Sequence, residues 1–293
     1  MKVVGIGGGH GLATTLRAAR LYASEVSAVV TVADDGGSSG RLTAELGIPA
    51  PGDIRNCLVA LANDSTLAHI FQHRFSEGTL EGHPIGNLII AALVKEMGDF
   101  AAGVQEAGRL LQAEGRVHPA TTEVVTLSAI VEGGVVDGQV AVAQTDKRIR
   151  SVHLRPSTPA ANREAVYAIL GADQIVIGPG SLFTSMIATL LVPGIGQALR
   201  DTDAQRVLVV NSRQQPGETE GLDAVSHVRA FLGHVGQGSL DVALVQSPVL
   251  ALDGVPLNPH AWRFPDVKLI EADVARSDGG HDPRALAEVL RSL

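Results

Sequence analysis

The sequence predicts an α/β fold: a mostly parallel sheet covered by helices, with a small β-rich insertion. Three observations carry this reading. Short β-branched runs alternate with amphipathic helical patterns, as βαβ units require. Most of those runs are apolar throughout, as strands buried on both faces should be. Gly contributes 33 of the 293 residues, more than the roughly 7% usual in soluble proteins, and several glycines stand where a strand hands over to a helix.

Taken in order, strands are expected at 3–6, 26–33, 174–178, 206–211, 240–245 and 267–271. Helices are expected near 12–22, 54–62, 65–75, 87–97, 100–113, 160–170, 181–191, 222–233 and 283–292. The last of these has Asp282 as N-cap and Pro283 at the first helical position, followed by Leu286, Val289, Leu290 and Leu293 at helical spacing. Residues 115–155 read differently. An apolar run over 124–131, a Glu132-Gly133-Gly134 turn, a second turn at Asp137-Gly138 and runs at 139–143 and 149–154 suggest small antiparallel strands. The expectation is one α/β domain over 1–293 with a β insertion at 115–155.

Composition and charge exclude several classes. Hydrophobic residues at 45% supply a sizeable core and rule out a disordered chain. Lys and Arg number 23 against 31 Asp and Glu, a net charge of −8, and the longest basic cluster is Lys147-Arg148-Ile149-Arg150. A general nucleic-acid binder needs a basic surface, and none is visible. Aromatics at 3% leave little for base stacking. The single Cys57 excludes an internal disulfide and fits a reducing compartment. No signal peptide is readable, and no apolar run nears the ~18 residues of a membrane span. The expected location is cytoplasmic, with no membrane or nucleic-acid partner.

Chemistry concentrates at the strand ends. The first strand ends in Gly5-Ile6-Gly7-Gly8-Gly9-His10-Gly11 and opens onto a helix. Glycines let a ligand approach the backbone, and the helix start offers free N–H donors and a positive dipole end, so phosphate or diphosphate is the expected guest. His10 breaks a strict G-x-G-x-x-G, and no Gly-Lys-Ser/Thr of a P-loop occurs. The second strand ends in Asp34-Asp35-Gly36-Gly37-Ser38-Ser39-Gly40. Two carboxylates beside a phosphate site must face sugar hydroxyls or base, or hold a cation against the phosphates. The same string matches G-x-S-x-G, but Asp34-Asp35 intervene after the strand and no strong helix pattern follows, so a nucleophile elbow is not expected.

Further on, Pro51-Gly52-Asp53-Ile54-Arg55-Asn56-Cys57 starts a helix whose apolar stripe takes in Cys57, a core residue on this reading. Arg55 in the first turn opposes the helix dipole, so Asp34, Asp35 or a ligand anion should compensate it. Gly178-Pro179-Gly180-Ser181 repeats the strand–Gly–helix design, with Ser181 either an N-cap or a ligand contact. Asn211-Ser212-Arg213-Gln214-Gln215-Pro216-Gly217-Glu218-Thr219 follows the next strand, and Gly82-His83-Pro84-Ile85-Gly86-Asn87 precedes another helix. His69 and His73 lie four apart on one helix without the Glu of H-E-x-x-H or a third ligand, so no metal site is expected from them.

In their order along the chain these motifs resemble the YvcK gluconeogenesis-factor family within the CofD-like superfamily. The likeness runs through Gly7-Gly8-Gly9-His10-Gly11-Leu12, Asp34-Asp35-Gly36-Gly37-Ser38-Ser39-Gly40-Arg41, Pro51-Gly52-Asp53-Ile54-Arg55-Asn56, Gly178-Pro179-Gly180-Ser181-Leu182 and Gln215-Pro216-Gly217-Glu218-Thr219. His10 departs from the Thr of many relatives. The resemblance implies a Rossmann-like three-layer α/β/α fold with an extra subdomain. It implies binding of UDP-N-acetylglucosamine or a related nucleotide diphosphate, and a regulatory role between gluconeogenic carbon metabolism, cell-wall precursor synthesis and cell shape. Contact with glutamine–fructose-6-phosphate aminotransferase is one implied route, and a homo-oligomer is compatible with it. The CofD branch instead implies a 2-phospho-L-lactate transferase type of reaction using Mg²⁺, and this is the alternative; a nicotinamide-dependent dehydrogenase ranks last. No cofactor is required for the regulatory reading, and Mg²⁺ is compatible with it. By the resemblance Gly8, Gly9, His10 and Gly11 meet the diphosphate, and Asp34 and Asp35 meet ribose or a cation. Arg55, Asn56, Gly180 and Ser181 line the cleft. Gly36, Gly37, Ser38, Asp53, Asn87 and Gly178 complete the expected set, with Arg276 added by its place near the chain end.

Overall fold

The computed structural model describes residues 1–293. β1 (Lys2–Gly7), α1 (Gly9–Ala19) and β2 (Glu25–Val30) form the first βαβ unit. Five helices follow: α2 (Gly37–Leu46), α3 (Gly52–Leu61), α4 (Thr66–Gln72), α5 (Ile85–Met97) and α6 (Phe100–Leu110). Then come β3 (Arg116–Pro119), β4 (Thr126–Val131), β5 (Gly134–Asp137), α7 (Gln139–Ala143), β6 (Ile149–Arg155), α8 (Arg163–Leu170) and β7 (Gln174–Ile177). A π-helical turn (Leu182–Ile187) runs into α9 (Ala188–Leu190), and α10 (Pro193–Asp201), β8 (Gln205–Val209), α11 (Ala224–Val235), β9 (Val242–Gln246), β10 (Lys268–Ala272) and α12 (Pro283–Ser292) complete the chain.

Seven strands form one sheet in the order β10-β9-β8-β7-β1-β2-β3, and every neighbouring pair is parallel. The chain builds outward from β1 to β3, returns to β7 beside β1, and builds outward again on the other side. That reversal makes the β1/β7 boundary a topological switch point, the Rossmann arrangement with one strand added. β7 and β9 are buried at every position, which their unbroken apolar or amide sequences require. α1 packs on α3 and α12, while α8, α9, α10 and α11 form a second packed group with the π-helical turn. No single helix is long and apolar enough to cross a membrane.

The β-rich segment expected at 115–155 divides in two. Arg116–Pro119 adds to the edge of the main sheet beside β2, and the separate antiparallel sheet, ordered β5-β4-β6, begins at Thr126. The run at 139–143, expected as a strand, is the helix α7. Its Gly138 N-cap has no side chain, and the Asp35 carboxylate caps it from across the structure, accepting from the N–H groups of Gln139 at 3.0 Å and Val140 at 2.9 Å. The helix α2 was not expected, because its opening Gly-Ser-Ser-Gly has poor helix propensity. Burial of Ser38, Ser39 and Leu42 and a left-handed Gly47 at its end hold it in place. α10 was also missed, although Pro193 at its start is a helix-opening signal.

Asp35 is thus one tie between the Rossmann core and the antiparallel unit. Replacing it by Ala leaves two helix-start N–H groups without an acceptor, so Asp35→Ala should lower the unfolding free energy by about 1–2 kcal/mol. Urea denaturation measures this, and hydrogen exchange should quicken at Gln139 and Val140. Unchanged stability with unchanged exchange would show that the tie contributes nothing.

Candidate functional site

The switch point brings two glycine loops together. β1 ends at Gly7 and β7 at Ile177, with Ile6 paired to Ile177, so the segments 8–11 and 178–181 leave the sheet side by side. They pack backbone against backbone. A side chain at Gly11 would run into the Pro179 carbonyl, so only Gly fits there. The Thr15 hydroxyl on α1 donates to the carbonyl of Gly178, fixing the second loop to the first helix. Asn211, at the end of β8, accepts from the Gly180 N–H at 3.0 Å and donates to Gln215 at 2.9 Å; Gln215 in turn donates to Ser181 Oγ at 3.3 Å.

Above these loops lies a cleft of about 340 Å³ with no hydrophobic residue in its lining. It is small among ligand pockets, which span roughly 300–1,000 Å³. Gly8, Gly9, His10, Gly11, Asp34, Asp53, Gly180 and Ser181 line it, as expected from the sequence. Thr31, Gln139, Thr184, Ser185 and Gln215 also line it. Of these, Thr31 had been read as strand interior, whereas β2 stops at Val30. Gln139 comes from α7, whose helical form hid it. Thr184 and Ser185 belong to the π-helical turn and had only a helix assignment to mark them.

Helix starts differ in how they are capped. α4, α6, α8, α11 and α12 carry their own capping side chains, Ser65, Asp99, Asn162, Asp223 and Asp282. α1, α2, α3 and α5 start from Gly8, Gly36, Pro51 and Pro84 respectively, with no side-chain cap. The first turn of an α-helix has N–H groups without intrahelical acceptors, and at α1 that turn, Gly9, His10 and Gly11, lines this cleft. Gly36 and Gly37 serve the second such start, at α2.

The three aspartates divide the work. Asp53, at the cleft floor in the first turn of α3, receives a hydrogen bond from the Gly9 N–H. Burial pushes its carboxyl up to about 7, helped by the nearby Asp34 charge and opposed by the Gly9 hydrogen bond and Arg55. Asp34 uses one carboxylate oxygen to accept from the Gly36 N–H at 2.9 Å; its other oxygen has no protein donor. Asp35 is committed to α7, which corrects the expectation that it meets ribose or a cation. Glu218 plays a parallel capping part, accepting from the N–H groups of Phe183 at 2.9 Å and Thr184 at 2.7 Å.

Arg55, Asn56, Asn87 and Ser38 are not on the cleft wall. They form a buried network beside it. Arg55 donates to Asn87 Oδ1 at 3.2 Å and to Asn56 Oδ1 at 2.8 Å, and Asn87 donates to Ser38 Oγ at 3.1 Å. Ser38 Oγ also meets His83 Nδ1 at 2.8 Å. Arg55 forms no ion pair, and its Nε has no partner. The expected compensation by a direct carboxylate contact is therefore not seen; Asp53 and Asp34 act on it only at longer range, while burial and Arg74 pull its pKa down to about 10. A helix does follow Gly36-Gly37, correcting the ground on which a nucleophile elbow was dismissed. Ser38 is nevertheless buried inside α2 at 4% exposure, unlike the exposed nucleophile of that motif.

Two expected residues serve elsewhere. Gly178 has a left-handed backbone and packs against Met186, a loop-shaping position off the cleft lining. Arg276 is exposed, pairs with Asp278 at 2.8 Å and does not reach the cleft. Cys57 is fully buried, as its stripe predicted.

Known proteins share this arrangement. Residues 3–254 match the family model described as 2-phospho-L-lactate transferase CofD. The gluconeogenesis factor of Bacillus subtilis (strain 168) is 45% identical over 84% of this chain and 78% of its own. That of Halalkalibacterium halodurans is 45% identical over 83% of this chain and 77% of its own. A crystal structure of a UPF0052 family member from Bacillus halodurans superposes with a TM-score of 0.95 at 38% identity, covering 99% of this chain and 98% of that one. The ordered motifs, the switch-point geometry and these matches agree: the chain belongs to the CofD family, among the YvcK gluconeogenesis factors.

Proposed function

We propose that the cleft binds the diphosphate of a nucleotide sugar, UDP-N-acetylglucosamine, and that the protein is a regulator rather than a catalyst. On this reading it links gluconeogenic carbon metabolism to peptidoglycan precursor synthesis and cell shape in the cytoplasm, with glutamine–fructose-6-phosphate aminotransferase as a protein partner. The observation that carries the binding step is the wholly polar cleft at the switch point, into which α1 opens without a side-chain cap. Backbone N–H groups and the positive end of the helix dipole favour a doubly charged diphosphate there. Asp53, with its carboxyl raised to about 7, repels it less than an ordinary carboxylate would, and the buried Arg55 supplies positive potential from behind. Asp34, with one oxygen free, suits a ribose hydroxyl.

A transferase acting on a nucleotide-diphosphate-linked donor is the second reading, favoured by the family description and by that same free oxygen of Asp34. Mg²⁺ is bound through one or two carboxylates together with phosphates and waters. The residues present fit such an ion held mainly by the ligand, with Asp34 as the protein's contribution; when bound it would neutralise charge on the diphosphate. Product formation on prolonged incubation with donor, Mg²⁺ and acceptor would favour this reading over a purely regulatory one.

Backbone and side-chain contributions separate at His10. Its N–H has no intrahelical acceptor, and proline is tolerated in a first helical turn. His10→Ala should change UDP-N-acetylglucosamine affinity less than threefold. His10→Pro, which deletes one charge-assisted hydrogen bond of about 1.5–3 kcal/mol, should weaken it at least tenfold with little change in melting temperature. Equal affinities by calorimetry would contradict diphosphate binding on the α1 amides.

The pH dependence has a definite sign. Asp53 titrates in the folded protein near 7, above its unfolded value of about 3.9, so its penalty on stability is absent below pH 4, grows as pH rises from about 4 to 7 and is complete above that. Asp53→Asn should therefore match the wild type in urea denaturation near pH 4 and exceed it in stability at pH 8. The charge of a nucleotide-sugar diphosphate is constant over this range, so wild-type affinity should fall between pH 6 and 8 while that of Asp53→Asn stays flat. Parallel profiles for the two proteins would remove Asp53 from the site.

A further inference from the structure

The chain's longest basic cluster plays no part in the nucleotide cleft. Lys147, Arg148 and Arg150 instead line a second cavity of about 950 Å³, bounded on the opposite side by Arg229 of α11. Its inner surface includes Phe183 and His234, whose rings meet edge to face at 5.7 Å. Both nitrogens of His234 are engaged. Nδ1 lies 2.7 Å from the Ala230 carbonyl, and Nε2 accepts from the Val152 N–H at 3.1 Å. The ring is thereby held in place, with its edge available to the cavity.

Charge around this cavity is incompletely matched. Arg150 pairs with Glu132 at 3.4 Å, and Glu218 spends its carboxylate on the π-helical turn, where burial pushes its pKa up. That leaves Lys147, Arg148 and Arg229 in no ion pair, against Asp146 and Glu220. Cations brought from two separate elements to one cavity raise the local potential for an anion, and arginine forks suit phosphate. The volume far exceeds one inorganic ion, and the half-buried His234 ring, backed by the buried Phe183, offers contact to an apolar body.

We propose that this second cavity is a binding site for a small organic phosphate, its phosphate held between Arg148 and Arg229 and its organic body against the His234 ring and the Phe183 edge behind it. The site is separate from the nucleotide cleft, and nothing in it depends on what the cleft binds. The two share only a wall, built from the π-helical turn and the 215–218 segment, in which Gln215 faces the cleft and Glu218 the cavity.

Phenyl phosphate and inorganic phosphate are the probes, titrated by calorimetry into the full chain. Phenyl phosphate should bind at least threefold more tightly than inorganic phosphate. The double variant Arg148→Glu, Arg229→Glu alters only exposed side chains, so its melting temperature should match the wild type, and its phenyl phosphate affinity should fall at least tenfold. Arg55→Met, beside the nucleotide cleft, should leave that binding unchanged. No phenyl phosphate binding at millimolar concentration, or equal affinity in the double variant, overturns the proposal. Loss in Arg55→Met with retention in the double variant would also overturn it, by assigning the probe to the nucleotide cleft. Failure of nucleotide-sugar binding in the wild type would leave these outcomes readable.

Discussion

The architecture of the site depends on one close backbone contact, that of Gly11 against the Pro179 carbonyl at the β1/β7 boundary. A Cβ there would push the two loops apart, and the cleft would lose the shape that both of its walls create. The Thr15 hydroxyl reinforces the contact by holding Gly178. Because the strands on either side are parallel and registered at their ends, the loops need no long excursions to meet. Sheet topology puts them together, and glycine lets them stay together.

Acidic residues then complete the design in two different ways. Asp35 and Glu218 reach across to helix starts that lack capping side chains of their own, fixing α7 and the π-helical turn as walls of the cleft. Asp53 and Asp34 face the cleft itself, and burial together with the nearby Asp34 charge raises the Asp53 carboxyl to about 7, so its charge is only partly developed at neutral pH. In a protein of net charge −8 the proposed diphosphate would thus meet less negative potential at this cleft than the overall charge suggests. Position of the carboxylates, rather than their number, decides the local potential.

Much of this was legible in the sequence because the signals were local. Apolar runs marked the parallel strands, and Gly7-Gly8-Gly9-His10-Gly11 and Gly180-Ser181 marked the loops that line the cleft. What escaped was set by distant partners. Residues 139–143 carry a β-like pattern, but form a helix whose start is capped by Asp35, far away in sequence. α2 opens on residues that disfavour helix and is held by burial. Arg55 looked like a direct ligand residue, yet Asn56 and Asn87 draw it into a network behind the cleft. Arg276 was proposed from its place near the chain end, a criterion with no chemistry in it, and Asp278 claims it.

The central claim is that a nucleotide-sugar diphosphate sits on the start of α1 at the switch point. A crystal structure of the complex with UDP-N-acetylglucosamine tests it most directly. The account predicts both phosphates within hydrogen-bond distance of the 9–11 backbone N–H groups, with the ribose on the side of Asp34. A diphosphate found outside this cleft, such as between Arg148 and Arg229, would contradict it.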